Sequence, residues 1–323
     1  MALVNSDNKK YKLNQDKYDH DIHYIFKYKI DDEEGHTSTR ALNFIPIFFS
    51  MFDPLDEFIR ISNIVFETLY PNQENSRNND NIKKIKEITF IVRDMEGVAY
   101  SCGGDDENTS EVHFSIEYLF NFYKEHAKYF HSNNREQSES SQKDSNATVT
   151  KTILNNPDGE TVSTIITTTI VNTIITKKSV PDVTVEDEAK EETLFETKGV
   201  LTHELVHVWQ FSCDDLPPNI IEGIADAVRK LVGYSAKHWV EPKISIDNPD
   251  TIMTPWDVDY NGAGFFLSWV QDNVPVTEEF KDSSFIEALN KQCRESYTDE
   301  AFQSITGYKI EDLFIYYQIS IQD

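Results

Sequence analysis

Two histidines, His203 and His207, lie four residues apart in the stretch LTHELVHVWQ, with Glu204 between them. On an α-helix, residues four apart share a face, so both imidazoles can bind one metal ion while the glutamate flanks it. This arrangement is typical of the helix of a zinc hydrolase. The pattern is short and also occurs by chance, so a metal site requires a third ligand from elsewhere in the chain.

A second helix is predicted immediately downstream. Between residues 219 and 233, apolar residues recur with helical spacing, and Gly233 suits the end of the helix. Pro217 and Pro218 break the chain before it, which allows a tight reversal between two antiparallel helices. The second helix is therefore expected to pack beside the helix that carries the histidines.

Glu222, in the first turn of this second helix, is the predicted third ligand. With His203 and His207 it would complete a zinc site and leave the fourth tetrahedral position to water. Asp226 lies one turn later on the same side and could accept the free imidazole N–H of a zinc-bound histidine, in the first place that of His203. The alternative is that Glu222 and Asp226 belong to a solvated helix face.

The motifs in these helices resemble those of the plant and fungal basic secretory protein family, whose members are regarded as zincin-type metallopeptidases. The matching stretches, in chain order, are ITFIV at 88–92, GVAYS at 97–101, EVHFS at 111–115, HELVHVWQ at 203–210, IEGIAD at 221–226 and residues 256–269. The spacing of Glu222 and Asp226 is also similar to the third-ligand helix of the thermolysin and aminopeptidase class. The resemblance implies an α+β fold: a zincin-like domain with a mixed twisted sheet, an edge strand next to the active-site helix, and a mostly helical C-terminal part.

The resemblance also implies roles for one strand and one tyrosine. In zinc peptidases of this build, a strand just before the metal helix commonly lies at the sheet edge and pairs with an extended substrate through its unpaired backbone groups. Val112, His113, Phe114 and Ser115 are the predicted substrate-binding strand, with an ordinary inner strand as the alternative. Tyr260 is placed where a phenol could hold the oxyanion of the tetrahedral intermediate, with a buried structural tyrosine as the alternative.

Composition restricts the partners and the compartment. The formal net charge of −26 disfavours nucleic acid and anionic membranes, because phosphates would be repelled. Three cysteines, at 102, 213 and 293, have no paired spacing and are predicted to be free thiols in a reducing compartment. No signal peptide and no membrane-spanning run is visible, which favours the cytoplasm or nucleus, with unconventional secretion as an open alternative. His113, His126 and His131 lack a partner at four-residue spacing and are predicted to be core or surface groups.

The chain is expected to form one domain with an insertion. Its predicted parts are a polar tail at 1–20, a sheet with helices at 21–130, an insertion at 131–197, and the active-site helices with the C-terminal part at 198–323. Within the insertion, residues 131–146 are predicted to be disordered or a mobile loop. Thr148–Leu154 is predicted to pair with Thr161–Thr167 in a β-hairpin, and Glu186–Glu196 to be a solvated linker. The Thr- and Ile-rich tract could instead aggregate or bind a protein partner.

Secondary structure is predicted from hydrophobic periodicity along the rest of the chain. The predicted strands are His23–Ile30, Lys86–Arg93, Val98–Cys102 and Glu111–Ile116; the predicted helices are Phe48–Leu69, as one or two helices, Ile116–Phe130, Tyr260–Asn273, Phe285–Cys293 and Leu313–Ile319.

The function expected from these features is zinc-dependent hydrolysis of a peptide or protein substrate. One zinc ion, held by His203, His207 and Glu222, would activate water, and Glu204 would act as general base. Two alternatives remain. The chain is a catalytically idle relative that uses the fold for binding, or it is an interaction protein in which zinc is only structural.

Overall fold

The computed structural model describes residues 10–12, 21–29, 38–71, 81–135, 149–153, 164–168, 184–242 and 260–322. Its main sheet contains β1 (Lys10–Lys12), β2 (Asp21–Tyr28), β3 (Glu87–Arg93), β4 (Ala99–Gly103) and β5 (Thr109–Ser115), in the spatial order β1-β2-β3-β5-β4. The three inner strands are parallel, whereas β1 and β4 run antiparallel to their neighbours at the two edges. The predicted mixed sheet of an α+β fold is therefore confirmed in the described part of the chain.

Helices account for most of the remaining described structure. They are α1 (Thr39–Met51), α2 (Pro54–Leu69), α3 (Ile116–Arg135), α4 (Val185–Trp209), α5 (Pro218–Leu231), α6 (Tyr260–Asn273), α7 (Phe285–Gln292), α8 (Glu300–Thr306) and α9 (Ile310–Ser320). The C-terminal part is mostly helical, as predicted. None of the described helices combines the length and apolar character that crossing a membrane requires.

The helix α4 holds a central position in the fold. It contacts α1, α2, α3 and α5, and also β4 and β5 of the sheet. Ser62 on α2 ties its C-terminal end in place: the Ser62 hydroxyl accepts hydrogen bonds from Tyr24 on β2 and from Trp209 Nε1 on α4, each at 3.0 Å. Tyr70 adds a third anchor, because its hydroxyl donates to the Trp209 carbonyl at 2.6 Å. The end of α4 that carries the two histidines is therefore fixed against the core.

The prediction that residues 186–196 form a solvated linker is wrong. These residues make up the first turns of α4, which begins at Val185 with a capping box between Thr184 and Asp187. Acidic residues next to a helix N-terminus interact favourably with the helix dipole, so an acidic run is compatible with a helix start. Ala189, Thr193 and Glu196 are buried, which shows that one face of this segment packs against the protein.

The predicted end of the preceding helix is also too early. Helix α3 continues to Arg135, whereas residues 131–146 were predicted to be disordered. Backbone hydrogen bonds can continue a helix through polar residues, so composition alone does not locate its end. The rest of the predicted disordered stretch, from residue 136, lies outside the described residues.

A separate antiparallel two-stranded sheet lies within the segment that was predicted to form a hairpin, in a register two residues away from the predicted one. β6 (Val149–Ile153) pairs antiparallel with β7 (Thr164–Thr168), with Val149 opposite Thr168 and Ile153 opposite Thr164. The residues that connect the strands, and the Thr- and Ile-rich tract after residue 168, lie outside the described residues. The division of the chain into a domain and an insertion at 131–197 stays a prediction.

Candidate metal centre

The two histidines of α4 project from one face of the helix toward α5. Their ring centroids are 4.7 Å apart, and the rings are nearly perpendicular. The Nε2 atoms of His203 and His207 lie 3.0 Å from each other. The spacing of four residues on a helix therefore brings the two nitrogen atoms together, as the sequence predicts.

Glu222 in the first turns of α5 completes the group. Its Oε2 lies 3.0 Å from His203 Nε2 and 3.5 Å from His207 Nε2. In a tetrahedral zinc site with bonds of 2.0–2.1 Å, neighbouring ligand atoms are about 3.3 Å apart. The two imidazole nitrogens and the carboxylate oxygen are thus separated as three corners of such a tetrahedron, and the donor set fits zinc.

Asp226 contacts His203 at Nδ1, the ring nitrogen that does not face His207 and Glu222. The carboxylate of Asp226 is buried, and its Oδ1 lies 2.8 Å from His203 Nδ1. A proton on Nδ1 that is donated to this carboxylate leaves the Nε2 lone pair free for a metal ion. Helix α6 closes over this contact, because a Cβ atom on Gly264 would lie 2.5 Å from Asp226 Cβ. The structure brings Asp226 to the position that the sequence predicts.

Gln210 makes the equivalent contact to the second histidine, and sequence reasoning gave it no role. The Nε2 atom of Gln210 lies 2.8 Å from the Nδ1 atom of His207. The buried Oε1 atom of Gln210 has no hydrogen-bond partner among the described residues. Rotating the amide by 180° lets Oε1 accept the Nδ1 proton of His207, and Nε2 of the ring is then free for a metal ion. The position of Gln210 three residues after His207, at the end of the same helix, was the signal available in the sequence.

Glu204 lies beside the three candidate ligand residues and away from bulk solvent. Only 7% of the residue is exposed, and it lines a cleft of about 600 Å³ together with His203, His207 and Glu222. Burial raises the pKa of the Glu204 carboxyl, against the opposing effects of the two histidines and of the nearby Ser101 hydroxyl. A raised pKa makes the carboxylate a better proton acceptor.

The edge position predicted for Val112, His113, Phe114 and Ser115 is wrong. These residues lie on β5, which pairs with β3 on one side and with β4 on the other. The chain reverses between β3 and β4, and β4 then covers the outer side of β5. β4 is therefore the edge strand on this side of the described sheet. It contacts α4, and all five of its residues line the cleft.

Tyr260 is the first residue of α6. Its side chain and residues 243–259 lie outside the described residues, so its role with the oxyanion stays a prediction.

A buried ion pair joins the two helices behind the metal centre. Arg229 on α5 donates from Nη2 to Glu196 Oε2 on α4 at 3.1 Å, and from Nε to the Tyr234 carbonyl at 2.8 Å. The other carboxylate oxygen of Glu196 accepts from the Tyr118 hydroxyl at 2.9 Å. The guanidinium also lies 4.8 Å above the ring of Trp239. This network joins α4 to α5, the two helices that carry the candidate ligand atoms.

Charge interactions hold the metal-free group together. Burial lowers the pKa of His203, but hydrogen bonds to Asp226 and Glu222 outweigh this effect and raise the pKa to about 9. The pKa of Glu222 is correspondingly lowered by its hydrogen bonds to the two histidines, although burial opposes this shift. Without a metal ion, the group therefore contains an imidazolium between two carboxylates.

The metal-depleted chain is expected to lose stability as the pH rises from 6.5 to about 9, the ordinary and folded pKa values of His203. Because the folded pKa is the higher one, the contribution is complete below pH 6.5 and disappears as the folded protein loses this proton. Urea unfolding of the chelator-treated chain at several pH values measures the effect. The variant His203→Ala should lack this component of the pH dependence; an identical dependence in both proteins would contradict the assignment.

Comparison with known proteins agrees with the motifs in the two helices. The family model described as "Peptidase of plants and bacteria" matches residues 46–135 and 129–317. No curated protein and no solved structure matches the chain. The matched residues span the greater part of the sequence and include the sheet strands β3 to β5 and helices α4 to α6. The chain therefore belongs to the family of peptidases of plants and bacteria.

Proposed function

We propose that the protein is a zinc-dependent metallopeptidase that holds one catalytic zinc ion with His203, His207 and Glu222. The observation that carries the proposal is the triangle of two Nε2 atoms and one carboxylate oxygen, with sides of 3.0, 3.0 and 3.5 Å. Three protein ligands of this type are the usual set of a catalytic zinc site, whereas structural zinc sites usually have four ligands. Membership of a peptidase family supports peptide hydrolysis as the reaction.

When bound, zinc supplies a Lewis acid that lowers the pKa of water from about 16 to about 7. Glu204 is the proposed general base, because its carboxylate is buried in the same cleft and next to the ligand atoms. It would take a proton from the attacking water and pass it to the amine that leaves when the peptide bond breaks. Ser101 lines the same cleft, and its hydroxyl would help to orient this carboxylate.

The edge strand β4 is the proposed binding site for the substrate backbone. Among the described strands, β4 pairs with β5 alone, and it lines the cleft that contains Glu204. An edge strand offers backbone N–H and C=O groups to an extended peptide, which can add to the sheet as a further strand. This placement transfers to β4 the role that sequence reasoning gave to Val112–Ser115.

Asp226→Asn should weaken zinc binding about 10–100-fold, the usual effect of removing a hydrogen-bond partner of a metal-bound histidine. The amide no longer carries the negative charge that stabilises the donating Nδ1–H of His203. The measurement is the free zinc concentration, set with a metal buffer, that gives half-maximal peptide hydrolysis. A half-maximal concentration equal to that of the wild type would contradict the role of Asp226.

Hydrolysis of casein and of a peptide library, before and after chelation, tests the proposal. The chelated protein should be inactive, and added zinc should restore its activity. Hydrolysis that persists after complete removal of metal would overturn the proposal. Zinc bound at His203, His207 and Glu222 without cleavage of any peptide would also overturn it, and would favour the alternative of a catalytically idle binding protein.

A further inference from the structure

Strands β4 and β5 carry a second group of side chains whose types can bind a metal ion. We propose that Cys102 on β4, with Glu111 and His113 on β5, binds a second divalent transition-metal ion. One potential ligand atom from each of these residues lies within 4.8 Å of the other two. This site does not depend on the peptidase function proposed above, because it shares no residue with the group of His203, His207 and Glu222.

The pairing of β4 with β5 brings these side chains together. Cys102 is directly opposite Glu111, and Tyr100 is directly opposite His113. Side chains alternate between the two faces of a sheet, so Cys102, Glu111 and His113 share one face, while Ser101 points to the other. His113 Nε2 already lies 3.0 Å from Glu111 Oε2, close to the ligand separation of a tetrahedral site.

His113 supplies an observation that the strand pairing alone does not explain. The residue is only 6% exposed, and its Nδ1 has no hydrogen-bond partner among the described residues. The ring of Tyr100 stacks on the imidazole with centroids 4.5 Å apart, and Arg93 donates to the Tyr100 hydroxyl at 2.8 Å. The stacking holds Nε2 beside the Glu111 carboxylate, where one ion could bind both groups, whereas the atom without a partner is Nδ1 on the other side of the ring.

The donor set indicates which ion the site would prefer. A thiolate, an imidazole and a carboxylate suit zinc or cobalt, whereas magnesium and calcium prefer sites made of oxygen atoms. A role for Cys102 as a reactive nucleophile is less consistent with its surroundings. Burial and the charge of Glu111 raise the pKa of the thiol, so little thiolate forms in the absence of a metal ion.

An ion at this site would join β4 to β5 directly behind the proposed catalytic cleft. Ser101, next to Cys102 in the chain, lines the cleft that contains Glu204. A metal bond to Cys102 would thus limit movement of the strand that positions both Ser101 and the edge available to a substrate. The expected role of the second ion is to stabilise the edge strand.

Cobalt(II) titration of the metal-depleted full-length chain tests the proposal without using enzymatic activity. A cobalt–thiolate bond gives an intense charge-transfer absorption in the near ultraviolet, which imidazole and carboxylate ligands do not give. The wild type should show this absorption. The double variant His203→Ala/His207→Ala, in which the group of His203, His207 and Glu222 is disrupted, should also show it and should saturate it at one cobalt per chain.

Cys102→Ser should remove the absorption, whereas the matched control Cys213→Ser should keep it. Cys102 is exposed and serine is nearly the same size, so the variant is expected to fold, and circular dichroism checks this. Glu111→Gln should raise the cobalt concentration needed for half-saturation at least tenfold, by analogy with the loss of other groups that support a metal site. The proposal is overturned if the wild type shows no thiolate absorption, or if Cys102→Ser retains it.

Discussion

Glu204→Gln should lower the kcat for peptide hydrolysis by about 10²–10⁴-fold, while the zinc content of the protein stays unchanged. Glutamine has nearly the same shape as glutamate, but its amide does not accept a proton from the attacking water. The residue lies beside the ligand atoms and is not one of the three proposed ligands, so the metal should remain bound. Kinetics on one peptide substrate and elemental analysis of the same preparation measure both quantities.

Glu192→Gln is the matched control for this experiment. Glu192 lies on the same helix, and its carboxylate forms an ion pair with Lys237, which is largely exposed, so the same chemical change should leave kcat near the wild-type value. If Glu204→Gln retains wild-type hydrolysis, another group must act as the base. If it instead loses zinc, the carboxylate acts as a ligand and the assignment of Glu222 is wrong.

Arg229→Ala should lower the free energy of unfolding by about 3–5 kcal/mol, because it leaves the charge of Glu196 buried without its partner. The two side chains are only 7% and 6% exposed, and the guanidinium contacts Glu196, the Tyr234 carbonyl and the ring of Trp239. Helices α4 and α5 would lose the buried ion pair that joins them. Urea unfolding of the metal-depleted chain measures the stability without the contribution of bound zinc.

Two controls separate the buried charge from a general effect of substitution. Lys237→Ala removes the cation of the more exposed pair with Glu192 and should cost no more than about 1 kcal/mol. The double variant Glu196→Gln/Arg229→Met should recover part of the loss, because no unpaired charge then remains in the interior. A loss below about 1 kcal/mol in Arg229→Ala would show that Glu196 is solvated or paired elsewhere.

The ligand group was predictable because its spacing is local. His203 and His207 are four residues apart on one helix, and Glu222 and Asp226 repeat that spacing on the next helix. Helical periodicity therefore defines both faces, and the proline pair between the helices indicates that the faces meet. A sequence pattern predicts well which residues of one helix lie a single turn apart on the same face.

The features that sequence analysis missed depend on contacts between distant segments. In the sheet, β5 lies between β3 and β4, so the spatial order differs from the order along the chain. Sequence analysis placed β5 at the edge because the sequence does not show this order. Glu196 was assigned to a linker because its partner, Arg229, lies 33 residues away. Cys102 and His113 were treated as isolated residues because only the pairing of two strands brings them together. None of these contacts leaves a periodic signal in the sequence.

X-ray anomalous scattering at the zinc absorption edge, from crystals of the zinc-loaded chain, tests the central claim most directly. We expect an anomalous-difference peak within about 2.0–2.2 Å of His203 Nε2, His207 Nε2 and a carboxylate oxygen of Glu222. A zinc ion near Cys102 would give a separate peak, so the same map tests each of the two proposed sites independently. Zinc-loaded crystals without a peak between the two histidines, or with the Glu222 carboxylate turned away from it, would contradict the account.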